Sequence, residues 1–228
     1  MMAGVVNETA QPGMGLAMVK HLNASLKGGA GPSSCMAAFW MLQGLYRVGW
    51  ETPEAADLAL HVMVAEGQYS WRNMLAQGAT CTMETWPSGT KPGSGGTGGT
   101  WSHPWCAGAN SAIIRLLVGV KPIELGWQRW MLAPQPSSLK SINATIPFVH
   151  GDKNEAVEVS LEQMGNVLSV RFSVPAGTTA RVCLPAAHGV AQPTTVTLDG
   201  KAAVTVKEGR MLCVKDDVAA GQHTAQRA

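Results

Sequence analysis

The run Glu155-Ala156-Val157-Glu158-Val159-Ser160-Leu161-Glu162-Gln163-Met164-Gly165-Asn166-Val167-Leu168-Ser169-Val170-Arg171-Phe172-Ser173-Val174 decides the fold of the C-terminal half of this chain. Val157, Val159 and Leu161 alternate with Glu158, Ser160 and Glu162. Leu168, Val170, Phe172 and Val174 alternate with Ser169, Arg171 and Ser173. Successive side chains of a strand point to opposite faces, so a period of two places the apolar residues on one face and the polar ones on the other. Gly165-Asn166 between the runs is a two-residue hairpin signal. Further on, Pro175-Ala176-Gly177 turns the chain into a strand over 180–184, and Asp199-Gly200 joins 195–198 to 203–206. Residues 211–214 read as the last strong strand. Short strands with regularly spaced turn signals predict an antiparallel β-sandwich.

Working back from that run, the period changes at Ala133-Pro134-Gln135-Pro136-Ser137-Ser138, which places a boundary between a helical part, 1–133, and a β part, 134–228. A short helix is expected over 15–26, and Gly28-Gly29-Ala30-Gly31-Pro32 breaks the chain after it. Pro32-Ser33-Ser34 opens a helix to about Val48, with Cys35, Ala38, Phe39, Leu42, Leu45 and Tyr46 at helical spacing. Thr52 reads as the N-cap and Pro53 as the first turn of a second helix. Its inner stripe is Ala55, Leu58, Ala59 and Val62, with Glu54, Asp57 and His61 on the other side. A third piece over 69–76 ends at Gly78, and a helix over 104–118 draws on Ile113, Ile114, Leu116 and Leu117. Two antiparallel helices cannot cover their own apolar faces, so this αα-hairpin calls for neighbouring hairpins. Trp127 and Trp130 are expected to pack between the helical and β parts, where large aromatics bury much area.

The 228 residues allow one large domain or two modest ones. Charged residues make up 14%, against about a quarter in an ordinary soluble protein, and the formal net charge is +2. Without a Lys/Arg run, that balance gives no electrostatic footprint for nucleic acid. No apolar run reaches the length of a membrane span. Residues 1–10 have neither a basic start nor an apolar core, so no signal peptide is expected there. The five cysteines, Cys35, Cys81, Cys106, Cys183 and Cys213, lack metal-type spacing and read as buried thiols. Sequons at Asn7, Asn23 and Asn143 are weak signals in a Ser/Thr-rich chain.

The chemistry gathers in Gly78-Ala79-Thr80-Cys81-Thr82-Met83-Glu84-Thr85-Trp86 and Trp101-Ser102-His103-Pro104-Trp105-Cys106-Ala107-Gly108. A carboxylate, an imidazole and flat aromatic faces suit a sugar: an acid or base for the glycosidic bond or water, polar groups for hydroxyls, rings for the C–H faces. The loop between, with glycine at 89, 93, 95, 96, 98 and 99, lacks the Gly-Lys-Ser/Thr ending of a phosphate loop and reads as a flexible insertion. Taken alone, Glu84 reads more simply as a solvated carboxylate, and His103 as a structural histidine near a helix start. No second histidine stands at a ligand spacing from His103, so neither metal nor cofactor is expected. Ser94 and Ser102 do not sit in a nucleophile elbow.

Taken together, the helical hairpin, the Thr82-Met83-Glu84-Thr85-Trp86 and Ser102-His103-Pro104-Trp105 motifs, Gly126-Trp127, Ala133-Pro134 and the β-sandwich resemble the C-terminal part of α-L-rhamnosidases of glycoside hydrolase family seventy-eight. Residues 174–185 are similar to a recurrent strand pair of that family's C-terminal sandwich. The resemblance covers about 15 to 224. It implies the last hairpins of an (α/α)6 barrel followed by the sandwich, and inverting release of terminal α-L-rhamnose from a glycoside or polysaccharide. It further implies that Glu84 is the general base, that His103 contacts sugar hydroxyls, and that Trp86 and Trp105 are candidate wall residues. The family's general acid comes from earlier hairpins, so the missing N-terminal part of the barrel is an implied partner and the chain is expected to be inactive alone. A different class of reading is a non-catalytic carbohydrate-binding or structural module.

Overall fold

Capping chemistry sets where the helices begin. In the computed structural model, which describes residues 14–27, 34–50, 52–89, 99–187 and 194–228, α1 is Met14–Lys27 and α2 is Cys35–Val48. The Ser34 hydroxyl accepts the Ala37 N–H at 3.0 Å, satisfying one of the unpaired donors of the first turn of α2. α3, Pro53–Val64, starts on a proline whose missing N–H costs nothing there, and Thr52 before it makes no side-chain cap bond. α4, Trp71–Ala76, is capped by Ser70, whose hydroxyl accepts the Asn73 N–H at 3.0 Å. The expected inner stripes of α2 and α3 are buried except Phe39, which is half-buried.

The helix expected over 104–118 is instead three pieces: a 3₁₀ turn at Pro104–Cys106, α5 at Gly108–Ala112, and a π turn at Ile113–Leu117. The π turn is closed by the Val118 N–H on the Ile113 carbonyl at 2.8 Å. Its wider register buries Leu117 and Val118 and leaves Ile113 and Ile114 exposed, the reverse of the expectation for the two isoleucines.

The chain parts into two compact units, one ending at Ala112 and the other Ile113–Ala228, ahead of the 133/134 boundary expected from sequence. The reason lies in residues 120–132, which contain β1, Val120–Pro122, and β2, Arg129–Leu132. β2 pairs in parallel with β6, Thr179–Pro185, so these residues belong to the β unit. Gly119, at φ 82, brings the chain so close to the Ala133 backbone that a Cβ there would collide with it.

The remaining strands are β3 (Ser141–His150), β4 (Lys153–Met164), β5 (Val167–Val174), β7 (Val196–Leu198), β8 (Lys201–Ala202), β9 (Thr205–Glu208), β10 (Met211–Val214) and β11 (Gly221–Arg227). One sheet has the order β1-β2-β6-β10-β9 and the other β3-β4-β5-β11-β7-β8. Every pairing but β2 with β6 is antiparallel. Val157, Val159 and Leu161 of β4 and Leu168, Val170 and Phe172 of β5 share one apolar cluster with Trp130, Leu132, Val182 and Leu184 of the other sheet. The helices-then-sandwich order expected from the sequence is therefore present. Trp130 lies inside this cluster, its indole N–H on the Thr178 hydroxyl at 3.2 Å, and Trp127 stacks on Phe148 at 4.6 Å. Both tryptophans are thus part of the sandwich's own packing, which corrects their expected place between the two parts.

Gly165-Asn166 closes β4 onto β5, with Met164 opposite Val167. Asp199 and Gly200 both take positive φ, 51° and 74°, as a two-residue hairpin turn of the primed kind requires. The second arm expected over 203–206 divides between sheets. The Ala203 N–H still bonds Val196 in one sheet, while the Val204 carbonyl accepts the Lys215 N–H in the other. The cysteines also depart from expectation: Cys35–Cys106 and Cys183–Cys213 are disulfides, and Cys81 is a free, exposed thiol. Among the described residues no helix is long and apolar enough to cross a membrane.

Candidate active site

Burial on both sides of Glu84 is what presents it. Met83 and Trp86 turn inward and join Cys35, Ala38, Met74 and Cys106 in the cluster beneath the loop, while Glu84 is half-buried and Thr85 exposed. Trp86 meets Trp71 edge-on at 5.2 Å, and the Trp71 indole N–H donates to the Cys106 carbonyl at 2.7 Å. With 7% of its surface exposed, Trp86 packs in the core of the loop.

The returning segment is tied to this one by two backbone hydrogen bonds. The Glu84 N–H donates to the Thr100 carbonyl at 2.9 Å, and the His103 N–H to the Thr82 carbonyl at 2.8 Å. The Thr82 hydroxyl adds a bond to the His103 carbonyl at 2.7 Å. These bonds join residues 82–84 to residues 100–103 across the glycine-rich stretch. At the near end of that stretch, buried Asn73 donates to the Gly89 carbonyl at 2.8 Å and Gln77 to the same carbonyl at 3.3 Å.

Three groups converge on the Glu84 carbonyl: the Trp105 indole N–H at 2.9 Å, and the disulfide sulfurs of Cys35 and Cys106 at 3.3 and 3.6 Å. The Glu84 carboxylate accepts the Thr100 N–H at 3.0 Å through Oε2. His103 caps the 3₁₀ turn, its Nδ1 accepting the Trp105 N–H at 3.3 Å. In the neutral ring that bond places the proton on Nε2 and makes it a donor. The His103 and Trp105 rings meet at 5.0 Å and 62°, and Trp105 keeps 45% of its surface open. Of the sequence candidates, Glu84, His103 and Trp105 thus form one group, and Trp86 stands beneath it.

Chemically, the group offers a carboxylate with one oxygen held, an imidazole able to donate, and an aromatic face anchored by its own N–H. Among the described residues no cluster of three or more His, Cys, Asp or Glu is arranged to hold a metal. Sequence reasoning missed Asn73 and Gln77; their i, i+4 spacing puts both on one side of the last turn before Gly78, which was the available signal.

Residues 119–198 match the family model described as the bacterial alpha-L-rhamnosidase C-terminal domain. Two solved structures similar in fold are both α-L-rhamnosidases. For that of Dictyoglumus thermophilum the TM-score is 0.66 at 20% identity, over 85% of this chain and 20% of that one. For that of Streptomyces avermitilis, complexed with L-rhamnose, the TM-score is 0.58 at 22% identity, over 83% of this chain and 19% of that one. This chain thus spans about a fifth of the length of either. No curated protein matches the sequence. The resemblance to the C-terminal part of α-L-rhamnosidases expected from the motifs is met by the family match in the sandwich and by the shared fold.

Proposed function

We propose that this chain carries the base-bearing segment of an α-L-rhamnosidase-like inverting glycoside hydrolase, acting on a rhamnose-containing glycoside or polysaccharide. What supports the reading is that backbone bonds join the segment of Glu84 to that of His103, and that the Trp105 indole N–H reaches the Glu84 carbonyl. Glu84 takes a proton from a water, whose oxygen attacks the anomeric carbon from the face opposite the leaving group. An acid on the other side protonates the departing oxygen. Inversion needs roughly 6.5–9.5 Å between the two carboxyls to admit that water. The acid belongs to an earlier hairpin of an (α/α)6 barrel, of which the helical unit supplies the last hairpins. The N-terminal part of the barrel is therefore the partner, and the chain alone is inactive. His103 Nε2 donates to a sugar hydroxyl, and Trp105 packs its open face on the ring's C–H face. Trp86 supports that wall from below.

A second reading, a non-catalytic carbohydrate-binding module, draws on the open Trp105 face, which needs no carboxyl partner to hold a sugar. Hydrolysis of an aryl α-L-rhamnoside and binding of L-rhamnose, each beside Glu84→Gln, separate the two. Turnover abolished by Glu84→Gln, on supplying the rest of the barrel, supports the hydrolase. Binding of L-rhamnose that Glu84→Gln leaves unchanged, with no turnover in any combination, supports the module. Neither turnover nor binding overturns both.

A further inference from the structure

We propose that Gly99 is a positioning residue for the Glu84 carboxylate, admitting the Thr100 N–H to Oε2 and leaving Oε1 as the oxygen that takes the proton from water. The proposal deepens the reading of Glu84 as the base and rests on it. A Cβ built on Gly99 stands 2.5 Å from Glu84 Oε2, 2.8 Å from its Cδ and 3.0 Å from its Cβ. Side-chain atoms essentially never approach that closely. Space for the carboxylate thus calls for glycine here. The hydrogen bonds confirm what the space is for. Thr100 gives its N–H to Oε2 at 3.0 Å and takes the Glu84 N–H on its carbonyl at 2.9 Å, so one residue grips both ends of the glutamate.

The grip matters because a glutamate side chain has three rotatable bonds, and a base must be held in line with its water. An N–H on a carboxylate is a charge-assisted bond, stronger and more directional than one between neutral groups. Among the described residues Oε1 accepts no hydrogen bond. In the step, an O–H bond of water breaks and its proton goes to Oε1. The water oxygen bonds to the anomeric carbon as the glycosidic C–O bond breaks, and the leaving oxygen takes a proton from the acid. The last part of the glycine-rich stretch is thereby a seat for the carboxylate, beyond its role as a connection.

The test is the ¹⁵N–¹H spectrum of the whole chain on acidification. The Thr100 amide proton is expected to shift as Glu84 is protonated, and the shift should vanish in Glu84→Gln. In Gly99→Ala it should fall to less than half, while Thr100→Ser, which keeps the backbone N–H, should retain it. A Thr100 amide indifferent to pH in the folded wild-type chain overturns the proposal, and so does a full shift in Gly99→Ala. Should Gly99→Ala fail to fold, the comparison of wild type with Glu84→Gln decides alone. Addition of L-rhamnose separates this failure from that of the parent reading. Shifts at His103 and Trp105 without Thr100–Glu84 coupling sink only the seat; coupling without any shift on L-rhamnose, with the rest of the barrel supplied, sinks the sugar site, and with it the role of the seat.

Discussion

The sandwich and the helical unit manage their apolar residues differently. In the sandwich, two sheets close on one cluster in which Trp130, Leu161 and Phe172 are at most 2% exposed. Its exposed apolar side chains sit mainly at turns, strand ends and edges, as with Leu125, Met164 and Val204. In the helical unit, Trp40 of α2 and Leu75 of α4 lie within helices and are 45% and 72% exposed. Single exposed apolar residues are ordinary, and in this unit they stand on helices rather than at turns and edges. The difference teaches where to seek function: the closed core holds the residues matched by the family model, and the unit with helix side chains open to water holds Glu84, His103 and Trp105.

The largest expected effect comes from breaking the closed core. Trp130→Ala removes a fully buried ring and the donor to Thr178, and should cost about 3–5 kcal/mol in urea unfolding. A cost below about 1 kcal/mol would mean that the sandwich is no better packed than the helical unit. The disulfides allow both units to be compared in one experiment. Cys35–Cys106 spans 71 residues and Cys183–Cys213 spans 30. In the loop-entropy account these contribute about 4.4 and about 3.6 kcal/mol. Replacing each pair by serines should destabilise its own unit, the helical one more. Equal or reversed losses would show that packing, and not loop closure, governs the helical unit.

How much of this was legible follows from the same physics. β4 and β5 were plain because their apolar faces alternate without a break, and the Asp199-Gly200 turn because few other pairs accept two positive φ values. β11 was missed. Gln222, His223, Thr224 and Gln226 carry no apolar period, yet the strand lies between β5 and β7 through a ladder from Gly221 opposite Val174 to Arg227 opposite Leu168. Backbone pairing places it, with Ala225 filling the core. Arg227 is buried at 6% exposure and gives an N–H to the Pro185 carbonyl, and desolvation followed by the charge of Arg210 lowers its pKa. For the candidate site, residue types and spacing proposed Glu84, His103, Trp86 and Trp105. The seat at Gly99 and the pairing of Cys35 with Cys106 join residues far apart in sequence, where local pattern carries no signal. The inward turn of Trp86 depended on Trp71, which no motif included.

A smaller effect tests the sandwich by pH. Hydrogen bonds from His223 and then from the Thr224 N–H hold the Asp199 carboxyl below its ordinary range. A carboxyl whose folded pKa is depressed contributes stability above its unfolded pKa and loses it as pH falls through the folded one. Asp199→Asn keeps a residue tolerant of the positive φ and removes the charge. Wild type should exceed the variant near neutral pH by less than about 1 kcal/mol, because the carboxylate is 46% exposed. The gap should close on acidification when urea midpoints are followed against pH. A gap that widens on acidification would show that the pair with His223 does not stabilise the turn.

The smallest expected effect bears on the comparison itself. Leu75→Gln in α4 replaces a side chain that is 72% exposed, in a helix whose buried positions include Asn73 and Met74. Glutamine is as good a helix former as leucine to within a few tenths of a kcal/mol. The urea midpoint of the helical unit should therefore stay within about 0.5 kcal/mol of wild type. A loss above about 1 kcal/mol would mean that Leu75 is covered in solution, by a second chain or by residues outside those described. Dilution separates these causes: a loss that disappears at low protein concentration comes from association, and one that persists comes from within the chain. In either case the open helical face would already be occupied, and the contrast between the two units would narrow to the site residues alone.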